Sequence, residues 1–363
     1  MKTQAAIYFG GDPKVTIADI ELEDPRSNEV LVRVKAVGIC HTDIGMMSPD
    51  PFIPVPIVLG HEGVGIIEKK GKNVKGLELG DAVILSIDHC EACHSCKSGN
   101  PSYCENMMEL HFSGRRADGS SPISFDKKPV NAVFFAQSSF SSYAIAPSRA
   151  VIKIANDLPF ELMAPLGCGI QTGAGTVLNI MEPQAGQGIA VFGVGTVGLS
   201  AIMAAKISGC HPIIAIDTNA ERLSLAAELG AHKTINPENE DPIAVILTKT
   251  NGRGIEYSFD TTGQAFVIRQ AVDSLFKNGL CVMAAGHGDV TLDGFSIVLG
   301  KTIRGTLEGG GDPQIFIPHL IELFKAGKLP IDKIVTCFPF SKINDGLSAL
   351  AQGRVIKPVL IMP

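Results

Sequence analysis

The sequence predicts an α/β protein that combines a doubly wound parallel sheet with a second, β-rich part. In the middle of the chain, short apolar strands alternate with helical segments, which is typical of a parallel sheet covered by helices. The first part contains several short strands separated by glycine-containing turns, as in a small barrel or sandwich. The length of 363 residues allows roughly two domains of ordinary size, each with its own core.

The β-rich part is predicted from strands in which apolar and polar residues alternate. Residues 30–37 show this alternation most clearly, and residues 64–68 and 81–85 are similar. Residues 105–131 are polar and rich in serine and glycine. We expect this stretch to form a long excursion on the surface.

The parallel sheet is predicted from the alternation that follows. The expected elements are strands at 188–193, 212–217, 255–260 and 279–285, with helices at 196–208 and 221–229. Gly230 is a plausible stop for the second helix. After residue 305 the alternation ends, and a last helix is expected over 313–325.

Composition and charge exclude several classes of function. The net charge is −6 without a strongly basic stretch, which argues against a nucleic-acid partner. The longest apolar stretch, residues 189–207, is broken by glycines and polar residues and does not predict a membrane span. The N-terminus does not resemble a secretory signal, so we expect a cytoplasmic protein. Nine cysteines in such a chain indicate metal binding or catalysis rather than disulfides.

Four of the cysteines form a compact motif, Cys90-x2-Cys93-x2-Cys96-x7-Cys104. Structural zinc takes four ligands in a tetrahedron, and four thiolates in one loop are a common set. Unlinked thiols or a redox pair are the alternatives, but this density of thiols favours zinc. With all four positions filled by protein, the predicted site is structural rather than catalytic.

Three further candidate ligands lie outside that loop: Cys40, His61 and Cys168. Each lies near glycine, where a metal can approach closely. Taken alone, a single cysteine or histidine is more often a core or surface residue than a ligand. No local spacing joins these three, so the residues alone leave a second metal site open.

The order of the motifs carries a resemblance. Gly38-Ile-Cys-His-Thr-Asp43, Gly60-His-Glu-Gly63, the four-cysteine loop and Gly193-Val-Gly-Thr-Val-Gly198 together resemble the zinc-containing medium-chain dehydrogenase/reductase family. The resemblance covers essentially the whole chain. It implies a GroES-like catalytic domain at residues 1–170, a Rossmann NAD-binding domain at 171–305, and a return to the catalytic domain at 306–363.

The resemblance also implies a catalytic zinc, so that two zinc ions are expected per chain. Its ligands would be Cys40, His61 and Cys168, with Glu62 able to approach the metal. Asp43 would steady the zinc-bound histidine, and Thr42 would begin the proton relay from the alcohol. Many members carry a histidine where this chain has Gly45. Proton exit must then use water, the cofactor ribose or another base.

A dinucleotide site is predicted by Gly193-x-Gly195-x-x-Gly198, which follows a strand and opens a helix. Asp217 ends the next strand, nineteen residues after Gly198, where a carboxylate binds ribose hydroxyls and repels a 2′-phosphate. This predicts NAD, although Arg222 in the following helix could accept that phosphate. Cofactor contacts from the family resemblance are expected at His41, Thr172, Thr196, Val197 and Lys357, with His41 and Lys357 at the pyrophosphate.

The expected substrate is a bulky apolar primary alcohol. Residues 165–173 and 134–140 resemble the aryl (benzyl) alcohol dehydrogenase branch, whose relatives oxidise allylic terpene alcohols such as geraniol, and Phe134 and Phe135 would line the pocket. One alternative is S-(hydroxymethyl)glutathione (formaldehyde) dehydrogenase, but Met108 stands where that branch carries an arginine. The other is an inert cofactor-binding homologue. The resemblance also implies a homodimer or homotetramer.

Overall fold

The computed structural model describes residues 1–48 and 52–363, which form two compact units. Unit 1 comprises Met1–Cys168, Asp312–Glu322 and Ile331–Pro363, and unit 2 comprises Gly169–Gly311 and Leu323–Pro330. From the sequence, the boundaries were expected after residues 170 and 305. The short stretch Leu323–Pro330 in unit 2 was not anticipated.

The strands of the described residues are, in chain order, β1 (Lys2–Tyr8), β2 (Thr16–Leu22), β3 (Glu29–Gly38), β4 (Ile57–Val58), β5 (Glu62–Lys70), β6 (Ala82–Leu85), β7 (Ile123–Phe125), β8 (Lys128–Val130), β9 (Tyr143–Pro147), β10 (Val151–Ile154), β11 (Ile189–Phe192), β12 (Ile213–Ile216), β13 (Lys233–Ile235), β14 (Ile255–Asp260), β15 (Leu275–Met283), β16 (Thr302–Gly305), β17 (Val335–Pro339) and β18 (Lys357–Ile361). The α-helices are α1 (His41–Met46), α2 (His94–Lys97), α3 (Met107–Phe112), α4 (Phe160–Met163), α5 (Gly169–Gly175), α6 (Thr196–Ile207), α7 (Ala220–Leu229), α8 (Pro242–Lys249), α9 (Ala265–Asp273), α10 (Gly294–Val298), α11 (Pro313–Lys325) and α12 (Ile343–Ala351). Among the described residues, no helix is long and apolar enough to cross a bilayer.

Unit 1 contains two sheets. The first has the order β4-β1-β2-β7-β8, and the second has the order β10-β6-β5-β3-β18-β17 with β9 also paired to β3. Their buried faces share one apolar core, whose bulkiest side chains include Tyr8, Phe134 and Phe140. Strand β3 alternates between buried and half-buried residues along part of its length, as its pattern predicts, whereas β6 is buried at every position although alternation was expected there.

The central strands of the second sheet bring distant parts of the chain side by side. In the antiparallel register, Gly38 on β3 pairs with Glu62 on β5 and with Val359 on β18. The end of β3, the start of β5 and the start of β18 therefore meet at one place. This is where the candidate metal ligands lie.

Unit 2 is a six-stranded parallel sheet with the order β13-β12-β11-β14-β15-β16. Its central strands are fully buried apolar runs, such as β11 and β12, because helices cover parallel sheets on both faces. The predicted fold class, a doubly wound Rossmann sheet joined to a β-rich GroES-like domain, is confirmed.

Candidate active site and metal centres

Four potential metal ligands converge in unit 1. Cys40 is the residue before α1, His61 immediately precedes β5, Glu62 begins β5, and Cys168 follows the short turn Ala164–Gly167. One ligand atom from each residue lies within 4.8 Å of the corresponding atoms of the other three. The structure thus brings together residues that local sequence spacing does not connect.

The imidazole of His61 is oriented for metal binding. Its Nδ1 lies 3.0 Å from Asp43 Oδ1, and its Nε2 is buried without a hydrogen-bond partner among the described residues. An orphaned ring nitrogen is costly unless a metal or another group takes it up. Asp43 also accepts hydrogen bonds from the backbone N–H groups of Cys40, at 2.9 Å, and Gly60, at 3.1 Å. One buried carboxylate therefore positions both neighbouring ligands.

The thiol chemistry also fits zinc. A hydrogen bond with Cys168 lowers the pKa of Cys40 well below its ordinary value, against burial, which raises the pKa, and with help from His61. A thiolate is the form that binds metal. Two cysteines and one histidine are a known catalytic zinc set that leaves a fourth position open. The residues present therefore fit a catalytic zinc.

The carboxylate of Glu62 is paired with the ammonium of Lys357. Lys357 Nζ lies 2.7 and 2.9 Å from the two oxygens of Glu62 and donates to the carbonyl of Ile39 at 3.1 Å. Lys357 is only 2% exposed and Glu62 is fully buried. Burial by itself would lower the pKa of Lys357, but Glu62 and Cys40 raise it above its ordinary value.

The expectation that Lys357 meets the cofactor pyrophosphate stays a prediction. Within unit 1 the ammonium bonds to the Glu62 carboxylate and to the Ile39 carbonyl. Gly38 makes room for the pair, since a Cβ there would lie 1.8 Å from a Glu62 oxygen. The apolar run after Lys357 is the feature of the sequence that could have indicated a buried strand here, although no strand was predicted.

Thr42 and Gly45 lie on α1, beside the metal ligands. Thr42 Oγ1 is 3.7 Å from Cys40 Sγ, close to where an alcohol hydroxyl would be activated. Among the described residues, no atom outside the local helix backbone lies within 4 Å of a Cβ built on Gly45. The position therefore has room for the start of a side chain, although the chain does not use it. His41 is exposed on the first turn of α1 and stays a predicted cofactor contact.

The two phenylalanines predicted for the substrate pocket lie against the metal ligand His61. Phe134 is fully buried and its ring meets His61 edge-on at 5.6 Å. Phe135 is half-buried and stacks on His61 at 4.6 Å. Phe134 is therefore a core residue beside the site, and Phe135 is the partly exposed member of the pair.

The four-cysteine loop forms a second cluster, in which the four sulfur atoms all lie within 4.8 Å of one another. Backbone N–H groups point at its sulfurs, from Cys93 to Cys90 at 3.3 Å and from Cys96 to Cys93 at 3.5 Å. The N–H groups of Ala92 and Cys93 lower the pKa of Cys90 to about 6. Amide donors of this kind stabilise thiolates, so the loop fits a structural zinc.

The glycine-rich turn of unit 2 has the form of a dinucleotide site. Gly193 has φ 86°, which favours glycine, and a Cβ on Gly198 would lie 2.0 Å from the Gly193 carbonyl oxygen. Helix α6 begins immediately after Gly195, so its free N–H groups face the turn. Asp217 Oδ2 accepts from the N–H of Val194 at 2.8 Å, which holds the carboxylate at this turn.

Two known protein domains match parts of this chain. Residues 26–156 match the alcohol dehydrogenase GroES-like domain, and residues 196–326 match the zinc-binding dehydrogenase domain. Geraniol dehydrogenase of Castellaniella defragrans is 39% identical over 368 residues, covering 99% of this chain and 98% of the relative. The chain belongs to the zinc-containing medium-chain dehydrogenase/reductase family.

Solved structures of the family agree closely with this fold. A zinc-binding alcohol dehydrogenase domain protein of Burkholderia ambifaria superposes with a TM-score of 0.97 at 40% identity, covering 100% of this chain and 99% of the other. Benzyl alcohol dehydrogenase of Acinetobacter calcoaceticus superposes with a TM-score of 0.97 at 38% identity, covering 100% of both chains. The alcohol dehydrogenase character of the chain is thus shown at the level of the family.

Two residues near the ligand cluster of unit 1, and one residue in unit 2, were not identified from the sequence. Gln137 brackets His61, because its amide donates to the His61 carbonyl and accepts from the N–H of Gly63, both at 3.0 Å. His111 stacks on Phe135 at 4.9 Å. In unit 2, Glu308 accepts from the Thr172 hydroxyl at 3.3 Å, next to a predicted cofactor contact. Only the tertiary structure brings these side chains to the sites.

Proposed function

We propose that the protein oxidises bulky aromatic or allylic primary alcohols to aldehydes, with NAD as the hydride acceptor. The observation that carries the proposal is the cluster of Cys40, His61 and Cys168, with the His61 Nε2 buried and unpartnered. The names of two relatives, a geraniol dehydrogenase and a benzyl alcohol dehydrogenase, support the substrate class.

In the proposed reaction, the metal ligands, Asp43 and Thr42 have separate roles. When bound, zinc supplies the positive charge that lowers the pKa of an alcohol hydroxyl, and NAD supplies the hydride acceptor. Cys40, His61 and Cys168 would hold the metal, while Asp43 maintains the ring orientation of His61. Thr42 Oγ1 would accept the hydroxyl proton and pass it outward. Open space beside Gly45 admits water for the next transfer.

We propose that Asp217 selects NAD. Its carboxylate lies at the glycine-rich turn through its bond to Val194, where it would meet the adenosine ribose. A 2′-phosphate there would suffer like-charge repulsion. Arg222 lies in the first turn of α7, and its Nε is buried without a hydrogen-bond partner among the described residues. We expect the repulsion of a 2′-phosphate by Asp217 to exceed its attraction by Arg222, because the Asp217 carboxylate acts directly at the ribose hydroxyls.

The two alternatives fit the structure less well. A glutathione adduct carries carboxylates, whereas Met108, at the position expected to bind one, is an apolar side chain that is 54% exposed. An inert homologue should have lost catalytic ligands, but the complete set converges within 4.8 Å. Metal analysis separates the inert form, since the active enzyme should hold two zinc ions and an inert one a single structural ion.

We further propose that unit 2 carries the surface for a homodimer or homotetramer. Strand β16 is at the edge of the parallel sheet, and the preceding helix α10 exposes Phe295 by 70% and Val298 by 78%. A sheet edge beside exposed apolar side chains is a surface that proteins usually cover. Sedimentation of wild type and Val298→Glu tests this. A monomeric wild type contradicts it.

A substrate panel tests the main proposal. We expect higher kcat/KM for benzyl, cinnamyl and geranyl alcohols than for ethanol, and higher activity with NAD than with NADP. His61→Ala should remove one of the two zinc ions and abolish turnover. Preference for ethanol would contradict the substrate class. Activity that survives the loss of the zinc would contradict the mechanism.

A further inference from the structure

The loop that carries Phe135 has an unusual backbone next to the candidate catalytic zinc ligands. Phe135, Ala136 and Ser138 have φ values of 48°, 58° and 48°, in the left-handed region that residues with a side chain rarely adopt. Each such residue costs on the order of 1 kcal/mol or more. Three of them within four residues must be held by the surroundings.

Hydrogen bonds hold this loop directly on the backbone around His61. Gln137 bonds to the carbonyl of His61 and to the N–H of Gly63, and the N–H of Ser139 donates to the carbonyl of Gly60 at 2.9 Å. These bonds attach the loop to the residues on both sides of the ligand. The strained conformation thereby presents Phe135 to the imidazole of His61.

Phe135 also contacts a second imidazole. His111 stacks on it with a centroid distance of 4.9 Å and parallel planes, while His61 stacks on it at 4.6 Å and 28°. The ring of Phe135 therefore links His111 to the metal ligand. Such aromatic contacts contribute on the order of 1 kcal/mol beyond burial and depend on ring orientation.

The far end of this stack is firmly anchored. His111 is 2% exposed, and its Nε2 lies 3.0 Å from the carbonyl oxygen and 3.1 Å from the nitrogen of Asp88. Asp88 in turn forms an ion pair with Arg149. Burial lowers the pKa of His111 to about 4, so it is neutral near pH 7 and acts by contact rather than by charge.

We propose that Phe135 and His111 are positioning residues that hold the His61 imidazole in its metal-binding orientation, with His111 acting through Phe135. Asp43 bonds only to Nδ1, which directs the ring but still permits it to tilt about that bond. Stacking by Phe135 restrains the tilt. This inference rests on the proposed role of His61 as a zinc ligand.

The test measures zinc retention and ligand geometry in the zinc-loaded protein. Phe135→Leu should bind one of its two zinc ions roughly tenfold more weakly than wild type, the lower end of the loss of metal affinity that follows loss of outer-shell support. The weaker binding should be seen as faster release of that ion to a chelator. Cobalt substituted at that site should show shifted visible absorption bands. Phe135→Tyr retains the ring and should match wild type in zinc release and in the cobalt spectrum.

Two further comparisons separate positioning from general destabilisation. Phe340, also in unit 1, is 4% exposed and belongs to the same apolar core, so Phe340→Leu is a matched control that should lower thermal stability without changing zinc release. His111→Leu should accelerate release, and adding it to Phe135→Leu should give no further acceleration. Equal acceleration by Phe340→Leu, or wild-type release and cobalt spectrum in Phe135→Leu, overturns the inference.

Failure of the underlying function is recognised separately. If His61→Ala still holds two zinc ions, His61 is not a ligand and both proposals fall. If His61→Ala holds one ion while Phe135→Leu matches wild type in release rate and spectrum, the metal site stands and only the positioning role is refuted.

Discussion

Replacement of Lys357 by methionine should make the stability of the protein strongly dependent on pH. The substitution removes a buried ammonium and leaves the Glu62 carboxylate buried without its counter-ion. Breaking a buried ion pair from one side costs about 3–5 kcal/mol. The carboxylate can escape part of this cost by taking up a proton, so the cost depends on pH.

The upper limit of the penalty follows from the proton uptake. Burial raises the pKa of Glu62 above its ordinary value of 4.5, Lys357 opposes that rise, and Cys40 adds to it. Without Lys357 the folded-state pKa rises further, so the folded protein binds a proton that the unfolded chain has released. At a pH above 4.5, the ordinary pKa of the carboxyl group, holding that proton in the folded protein costs about 1.4 kcal/mol per pH unit. Protonation of Glu62 therefore limits the loss in the free energy of unfolding to about 2 kcal/mol at pH 6 and about 5 kcal/mol at pH 8.

Urea denaturation at pH 6 and pH 8 in excess zinc provides the measurement. The free energy of unfolding of Lys357→Met should fall relative to wild type by up to about 2 kcal/mol at pH 6 and by about 3–5 kcal/mol at pH 8. Lys153→Met removes an ion pair with Asp81 in which the lysine is 53% exposed, and it should cost below about 1 kcal/mol at both pH values.

The double variant Lys357→Met/Glu62→Gln identifies the source of the effect. It has no buried charge left at this pair, so the extra loss between pH 6 and pH 8 should disappear. A loss in Lys357→Met that is the same at both pH values would refute this reasoning. So would a double variant that retains the pH dependence.

Three further predictions concern the cofactor, the proton relay and the structural metal. Asp217→Ala should raise the KM for NAD and narrow its kcat/KM advantage over NADP, and an unchanged ratio in steady-state assays would argue against the selection role. Gly45→His should fit the open space on α1 and make turnover less dependent on buffer concentration where proton transfer is limiting. Cys93→Ser should lower zinc content by one ion per chain and expose the loop to proteolysis, whereas a protected loop would show that zinc does not hold it.

The strength of the sequence evidence depended on how local each feature is. Four cysteines within fifteen residues indicate a tetrahedral site on their own, because one short loop can wrap the ion. The glycine motif was similarly local, because residues 189–198 contain the strand, the turn and the beginning of the helix. The catalytic ligands are far apart along the chain, and their association came from a family resemblance rather than from spacing.

Lys357 has an environment that only the tertiary structure reveals. The resemblance implied a contact with the pyrophosphate, which stays a prediction, and the structure adds a buried ion pair with the Glu62 carboxylate. Its environment depends on the pairing of β18 with β3 and of β3 with β5, which brings residues almost 300 positions apart to one site. No local pattern in the sequence encodes that pairing.

By itself, then, the sequence determined the fold class, the structural metal loop and the dinucleotide turn, because periodicity, spacing and backbone requirements are local properties. Only the tertiary structure decided which residues surround the catalytic ligands. His111, Gln137 and Phe135 reach His61 through sheet register and a strained loop, and these are set by packing between distant segments. Glycines in the sequence indicate where the backbone can turn, but the packing of distant segments decides which groups each buried side chain contacts.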